Sequence, residues 1–215
     1  ALHLFLEFPK DKLIWDVGHQ AYVHKLLTGR NKMFGTLRKL DGISGFPKVS
    51  ENPADTFNTG HSSTSLSLAL GMAKARDIQG GDEKVVAVIG DGALSGGMAL
   101  EALNNAEPLK SNLIIVLNDN KMSISENVGG VSKYLNNIRT ATSYLDLKKG
   151  IYNVLQGTKR GDSAISRIRR AKSSFKQLVI PGMLFEDMGI TYLGPVDGHD
   201  IPSMVSVIND AKRTE

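Results

Sequence analysis

Two uninterrupted apolar runs separated by one helical pattern constrain the fold of this chain more than any other feature. Residues 85–89 are all apolar and do not alternate with polar residues, which is typical of a strand buried on both faces of a parallel sheet. Residues 95–107 have helical periodicity, and Pro108 is predicted to help end that helix. A second apolar run at 113–117 completes a strand–helix–strand unit. The sequence therefore predicts an α/β fold, an open and mostly parallel sheet with helices on both faces.

Polar residues follow each of these runs directly. Gly-Asp-Gly occupies 90–92 and Asn-Asp-Asn occupies 118–120. Ligands of such sheets bind at the carboxyl ends of the strands, and the helix after the first run points its N-terminus there, which favours a phosphate. The carboxylate of Asp91, with the amide oxygen of either Asn118 or Asn120, suits Mg²⁺, which takes one or two carboxylates and completes its shell with phosphate and water. We therefore predict a magnesium and diphosphate site at this edge.

Composition excludes several other classes of protein. A length of 215 residues predicts one domain with a full-sized core. The absence of cysteine excludes disulfides, thiolate zinc sites and cysteine nucleophiles, and it fits a reducing cytoplasm. No apolar run approaches the roughly 20 residues of a membrane span, and no signal peptide is recognisable. The basic face of a predicted helix over 164–178 has no interleaved aromatic residues, so we interpret it as a solvated surface and expect no nucleic-acid partner.

The remaining segments carry weaker signals. Residues 1–8 are expected to be the tail of a helix ended by Pro9, residues 12–17 a short strand, and residues 76–84 a charged loop. Either Ser62 or Ser63 is expected to cap a helix that follows. A polar connection over 28–55 is either a surface excursion or a wall of the active site.

Near the end of the chain, residues 190–193 predict a further strand, and Asp200 is expected to cap a helix over 201–212. We interpret His24 and His199 as structural residues. His19 lies just past the strand over 12–17, the position that Asp91 holds after the central strand, and His61 lies at a helix start.

Four sequence blocks, taken together in order, resemble the thiamine-diphosphate-binding region of the transketolase-like enzymes. They are Trp-Asp-Val-Gly-His-Gln at 15–20, Gly-His-Ser-Ser-Thr-Ser at 60–65, the Gly-Asp-Gly and Asn-Asp-Asn pair, and Asn-Lys-Met-Ser-Ile-Ser at 120–125. Within that group the chain resembles the N-terminal domain of the 1-deoxy-D-xylulose-5-phosphate synthase family over nearly its whole length.

This resemblance implies an activity. It implies a transferase that uses thiamine diphosphate and Mg²⁺ to condense pyruvate with D-glyceraldehyde 3-phosphate. The reaction releases CO₂ and gives 1-deoxy-D-xylulose 5-phosphate, a precursor of isoprenoids, thiamine and pyridoxal. The family also implies a cytoplasmic homodimer.

The resemblance also implies roles for individual residues. It assigns the metal to Asp91, Asn120 and the backbone carbonyl of Met122. It assigns catalytic roles to His19 and His61, since imidazoles can exchange protons at neutral pH. The residues it implies as cofactor-binding are His19, Gly60, His61, Ser62, Gly92, Ala93 and Asn120.

The family resemblance places the carboxylate that contacts the cofactor's aminopyrimidine ring in a second domain. We therefore expect residues 1–215 to be a single diphosphate-binding domain, a fragment of a longer multidomain enzyme and inactive alone. Two alternatives remain open at this point. One is a transketolase or 2-oxo-acid dehydrogenase subunit, which shares the Gly-Asp-Gly signature, and the other is a non-enzymatic interaction module.

Overall fold

The centre of the fold is a parallel sheet of three strands. The computed structural model of the chain describes residues 1–120, 129–140 and 182–213. Within these residues the strands are β1 (Lys12–Trp15), β2 (Val85–Gly90) and β3 (Ile114–Asn118), in the order β1-β2-β3. Both pairs are parallel, which confirms the predicted α/β fold with a parallel sheet.

Strand β2 is buried on both faces because every residue of its apolar run is covered. Val85, Ala87 and Ile89 belong to the larger core, which includes residues of helices α2 (Ser65–Gln79) and α4 (Gly97–Leu109). The intervening residues of β2 pack on the opposite face with Leu13 of β1 and with the chain that precedes β1. The two-layer packing explains why the run does not alternate with polar residues.

The other helical elements are short or lie at the margins. Residues 26–36 make a π-helical turn at Leu26–Arg30 and a 3₁₀ turn at Asn31–Thr36, and another 3₁₀ turn covers Leu2–Leu4. The remaining α-helices are α1 (Tyr22–Lys25), α3 (Asp91–Leu94), α5 (Gly130–Thr140), α6 (Met183–Asp187) and α7 (Ile201–Arg213).

The helix after β2 differs from its prediction at both ends. The first turn after Gly90 is a separate short helix, α3, so α4 begins only at Gly97. Pro108 does not stop α4, because it lies in the final turn of the helix. The helix ends instead at Leu109, where Lys110 adopts a left-handed φ of 47° and donates its N–H to the carbonyl of Ala106.

The expected charged loop over 76–84 is wrong in its first part. Residues 76–79 belong to α2, and the side chain of Arg76 is buried. Its guanidinium binds the carbonyl oxygens of Glu83 at 3.2 Å and Asn112 at 2.9 Å. The guanidinium of Arg76 therefore holds the two chain segments that lead into β2 and β3. The polarity of the residue alone did not indicate this role.

Two predictions about regular structure at the ends of the chain are also wrong. Residues 1–8 contain only the 3₁₀ turn, after which Leu6 is buried against the sheet. Residues 190–193 form no strand among the described residues; Tyr192 instead stacks on Phe185 with ring centroids 5.9 Å apart. Ile190 and Tyr192 are partly buried by packing against the core rather than by strand pairing.

The end of the chain agrees with its prediction. The N–H of Ser203 donates to Asp200 at 3.2 Å, so Asp200 caps α7. His199 lies in the exposed loop before it, where its Nδ1 is 3.3 Å from the carboxylate of Asp197. None of the helices in the described ranges has the length and apolarity needed to span a membrane.

Candidate functional site

The carboxyl ends of all three strands meet at one edge of the sheet. The register pairs Trp15 with Val88 and Gly90 with Asn118. The residues that follow the strands, Asp16, Asp91 and Asp119, therefore lie along the same edge. This is the edge at which open α/β sheets bind ligands.

Asp91 and Asp119 face each other across this edge. They are the residues after the paired Gly90 and Asn118, so the parallel register alone brings them together. Burial raises the pKa of Asp91, and the charge of Asp119 with a hydrogen bond to it raises that pKa further. A divalent cation between them would relieve both effects.

Asp119 is the acidic partner that sequence reasoning missed. The predicted ligand set paired Asp91 with an amide from Asn118 or Asn120, both of which are exposed at this edge. In the described part of the chain, no group of three or more His, Cys, Asp or Glu side chains could hold a metal ion. A cation here would therefore use amide, backbone or phosphate oxygens as well as carboxylates, which suits Mg²⁺.

Asp16 fastens the 60–65 block to the tip of β1. Its carboxylate, 1% exposed as a residue, accepts hydrogen bonds from the N–H groups of Ser63 at 2.8 Å and Ser65 at 3.0 Å. The predicted serine cap of α2 is therefore wrong, because Thr64 is the N-cap residue without a side-chain cap and the carboxylate comes from another strand. A residue forty-nine positions away in sequence leaves no local signal.

The 60–65 block is also joined to the Gly-Asp-Gly block. The hydroxyl of Ser63, a residue with φ of 68°, donates to the carbonyl of Ala93 at 2.7 Å. A Cβ added at Gly96 would lie 2.1 Å from the same hydroxyl oxygen. Glycine is required there by this close approach, which locks two of the four sequence blocks together.

The loop after β1 is held close to the same edge. Gly18 has φ of +99°, and a Cβ added to it would lie 2.5 Å from both Pro47 Cδ and Thr59 Oγ1. Pro47 therefore lies against the backbone just past the end of β1, which supports the active-site wall over the surface excursion for this part of 28–55. His19, the next residue, is exposed, and so is His61.

Replacing Gly18 with alanine is expected to destabilise the chain by about 2–6 kcal/mol, because backbone strain and overpacking each cost about 1–3 kcal/mol. The measurement is urea-induced unfolding. Gly29→Ala is the matched control, since Gly29 has φ of +92° with nothing within 4 Å of its added Cβ. Equal losses in both variants would show that Pro47 and Thr59 move aside at no cost.

Comparison with known proteins identifies the family of this chain. A sequence profile of the family described as 1-deoxy-D-xylulose-5-phosphate synthase matches residues 1–215. The chain belongs to that family. The match therefore favours the synthase family over the transketolase and 2-oxo-acid dehydrogenase families.

Individual relatives of the 1-deoxy-D-xylulose-5-phosphate synthase family are strongly similar. The protein of that name from Lachnoclostridium phytofermentans is 62% identical over 214 residues, covering 99% of this chain and 34% of its own length. Those from Clostridium acetobutylicum and Carboxydothermus hydrogenoformans are 56% and 57% identical, each with 99% of this chain and 34% of the relative covered. This chain thus spans about a third of the length of these relatives.

A solved transketolase variant from Pichia stipitis is similar over 53% of this chain and 20% of its own, at 26% identity and a TM-score of 0.47.

The site residues that the family resemblance implied have these positions. Gly60 and Ser62 are exposed next to Ser63, whose N–H binds Asp16, while Gly92 and Ala93 lie in α3. Asn120 is exposed two residues after β3. Met122, the rest of the block at 121–125 and the predicted basic helix over 164–178 lie outside the described residues.

Proposed function

We propose that this chain is the cofactor-binding domain of an enzyme that condenses pyruvate with D-glyceraldehyde 3-phosphate. The products are CO₂ and 1-deoxy-D-xylulose 5-phosphate, and the cofactors are thiamine diphosphate and Mg²⁺. One observation supports the proposal most strongly: the sequence blocks that contain His19, His61 and Asp91 meet at one edge of the sheet. The synthase family matches this chain throughout.

The oxygen donors at this edge fit Mg²⁺. Asp91 supplies a carboxylate, Asn120 supplies an amide oxygen, and the Met122 carbonyl would supply a third ligand. Asp119 adds a second negative charge beside Asp91. Hard oxygen ligands with one or two carboxylates leave room in an octahedral shell for phosphate oxygens and water.

The backbone around these ligands fits a diphosphate. Gly60 and Gly97 have no atoms within 4 Å of an added Cβ, so both present open backbone. Ser62, His61 and Gly92 would bind the cofactor together with Ala93 and Asn120. Thr59 Oγ1 is buried with no hydrogen-bond partner among the described residues, and a polar group of a ligand would satisfy it.

Bound thiamine diphosphate would supply the nucleophilic carbon and the electron sink for the decarboxylation. The chain's own contribution is positioning and proton handling. His19 and His61 present exposed imidazoles at the site, and we assign them proton exchange with the reacting carbonyl and hydroxyl groups. The sheet fixes the ends of its strands, and the strand ends in turn orient the two imidazoles.

Calorimetric titration tests the binding step directly. We expect thiamine diphosphate to bind this chain saturably when Mg²⁺ is present and to lose most of its affinity when a chelator removes the metal. A chain that shows no heat of binding with Mg²⁺, while its thermal unfolding remains cooperative, would contradict the proposal.

Turnover is testable in a chimera. In it, this chain replaces the matching 214 residues of the Lachnoclostridium phytofermentans relative, to which it is 62% identical. We expect the chimera to form 1-deoxy-D-xylulose 5-phosphate from the two substrates, and His19→Ala to lower kcat by about 10²–10⁴-fold, the usual contribution of acid–base catalysis. His199→Ala, an exposed histidine outside the site, is the control. A folded chimera without product would refute the assignment.

The proposal has a structural part. Residues 1–215 would form one diphosphate-binding domain, the active enzyme would be a cytoplasmic homodimer, and light scattering of the chimera measures its oligomeric state. The cysteine-free composition supports a reducing compartment.

A further inference from the structure

Behind the loop that covers Gly18 lies a buried charge cluster with no assigned role. We define it by its five members: His24, Lys25, Arg30, Glu51 and Asp55. The side chains of Lys25 and Asp55 are 0% exposed, and that of His24 is 1% exposed. Charged groups this deeply buried need partners for every charge.

Asp55 is the hub of the cluster. Its carboxylate accepts hydrogen bonds from both terminal nitrogens of Arg30, one at 2.5 Å and the other at 2.8 Å, and from Nε2 of His24 at 3.0 Å. Burial alone would raise the pKa of Asp55, but the hydrogen bonds from Arg30, His24 and the N–H of Lys48 hold it well below its usual range. Asp55 is therefore an ionised, fully engaged acceptor.

The hydrogen bonds also fix the ring of His24 on both sides. Its Nε2 donates to the ionised Asp55 at 3.0 Å. Its Nδ1 lies 3.0 Å from Nε2 of His3, and the two rings share a hydrogen bond there. The N-terminal segment and the Asp55 hub thus hold one imidazole in a single orientation.

The cluster binds the loop over residues 44–48 through backbone N–H groups of that loop. The N–H of Lys48 donates to Asp55 at 2.8 Å, and the N–H of Ser44 donates to Glu51 at 2.6 Å. Pro47, between these two anchors, is the residue that lies against Gly18. The buried carboxylate of Asp55 and the partly buried carboxylate of Glu51 therefore set the height of this loop above the backbone that carries His19.

The opposite side of the cluster is attached to the chain just after His19. His24 and Lys25 lie in α1, which begins at Tyr22. Lys25 donates to Glu51 at 2.6 Å and is thereby joined to the same carboxylate that holds Ser44. The segment 17–20 is consequently held between the anchored loop on one side and anchored α1 on the other.

A purely stabilising role explains this arrangement poorly. Buried ion pairs contribute little net stability compared with apolar packing, because desolvation of the charges offsets their attraction. What a bidentate arginine–carboxylate pair provides is directional geometry. The cluster therefore suits the fixing of a distance better than the addition of stability.

We propose that Asp55, through His24, Arg30 and the N–H of Lys48, is a positioning residue that sets the conformation of 17–20 and thereby the placement of the His19 imidazole. The importance of that placement for turnover rests on the proposed function. The conformational part of the inference concerns the ligand-free chain alone.

The test compares Asp55→Asn with Asp11→Asn. Asp11 is a matched control because its side chain is also 0% exposed, and it accepts two backbone N–H groups, from Glu7 and Lys84, at 2.8 Å each. It lies immediately before β1, at the end opposite His19. Both variants lose a buried charge, so both are expected to lose stability. Only Asp55→Asn is expected to change the conformation of 17–20.

Amide hydrogen exchange of the ligand-free chain, followed by mass spectrometry, is the first readout. We expect Asp55→Asn to speed exchange of peptides covering 17–21 and 44–48 by at least about tenfold, because local opening becomes easier. Asp11→Asn should leave those peptides unchanged. Unchanged exchange in Asp55→Asn, or an equal increase in both variants, overturns the proposal.

Steady-state kinetics of the chimera is the second readout. We expect Asp55→Asn to lower kcat by about tenfold or more, as misplacement of a reacting group does, with a smaller change in KM for pyruvate, while Asp11→Asn keeps its kcat. A KM effect with unchanged kcat overturns positioning of His19. If Asp55→Asn does not fold, Arg30→Lys replaces it, since lysine keeps the charge but loses the bidentate geometry.

The two proposals fail in different ways. A wild-type chain that binds no thiamine diphosphate overturns the proposed function, yet its exchange rates still decide whether Asp55 fixes 17–20. A chain that binds the cofactor normally, but in which Asp55→Asn behaves like Asp11→Asn, overturns only the positioning role.

Discussion

Replacing Asp91 with alanine is expected to weaken magnesium-dependent binding of thiamine diphosphate by more than about 100-fold, beyond the 10–100-fold typical of groups that only support a metal ligand. The reason is charge. Asp91 is 5% exposed, so its carboxylate meets the cation with little screening by water. Calorimetric titration with and without Mg²⁺ measures the loss.

Three further measurements sharpen the Asp91 prediction. Asn120→Ala should cost less, because it removes a neutral oxygen, and Asp119→Ala should cost less, because Asp119 is only half-buried. The ligand-free Asp91→Ala chain should unfold at the same temperature or higher. The raised pKa of Asp91, caused by burial and by Asp119, means that its ionised form opposes folding at neutral pH. Equal affinity losses for Asp91→Ala and Asn120→Ala would contradict the charge argument.

Replacing Asp16 with alanine is expected to lower the free energy of unfolding by about 3–6 kcal/mol, since each hydrogen bond to a charged group contributes about 1.5–3 kcal/mol. The two lost bonds are those to the N–H groups of Ser63 and Ser65. Both donors would be left without an acceptor where the 60–65 block meets β1. Urea-induced unfolding measures the change, which is a large part of a typical domain's stability.

Two variants control the Asp16 experiment. Asp16→Asn should fall between wild type and Asp16→Ala, because the amide keeps one acceptor oxygen. Asp82→Ala removes an exposed partner of Lys10 and should leave unfolding unchanged. A loss below about 1 kcal/mol in Asp16→Ala would mean that water or other groups satisfy Ser63 and Ser65 instead.

Predictions succeeded where residues close together in the sequence determine the structure. The continuous apolar run predicted that β2 is buried on both faces, and Asp200 was predicted as the cap of α7 from its position alone. His24 was interpreted as a structural residue, and it lies buried in hydrogen bonds with Asp55 and His3. Each of these predictions depends only on the residue itself and on its neighbours in the sequence.

Predictions failed where a distant partner decides the outcome. The serines at 62 and 63 have the right chemistry to cap α2, but Asp16 fills that role from β1. Arg76 was assigned to a loop because of its charge, yet carbonyl groups from Glu83 and Asn112 allow it to be buried in a helix. Polarity predicts exposure only until folding supplies a partner.

The sequence by itself determined the parallel α/β core, the polar tips of β2 and β3, and the family to which the chain belongs. Only the tertiary structure decided that Asp119 faces Asp91, that Asp16 holds the 60–65 block, and that Asp55 anchors the loop over Gly18. The physical reason is the distance along the chain between the residues that interact. Strand burial follows from neighbouring residues, whereas a hydrogen bond between chain segments exists only after the sheet register has brought its two ends together.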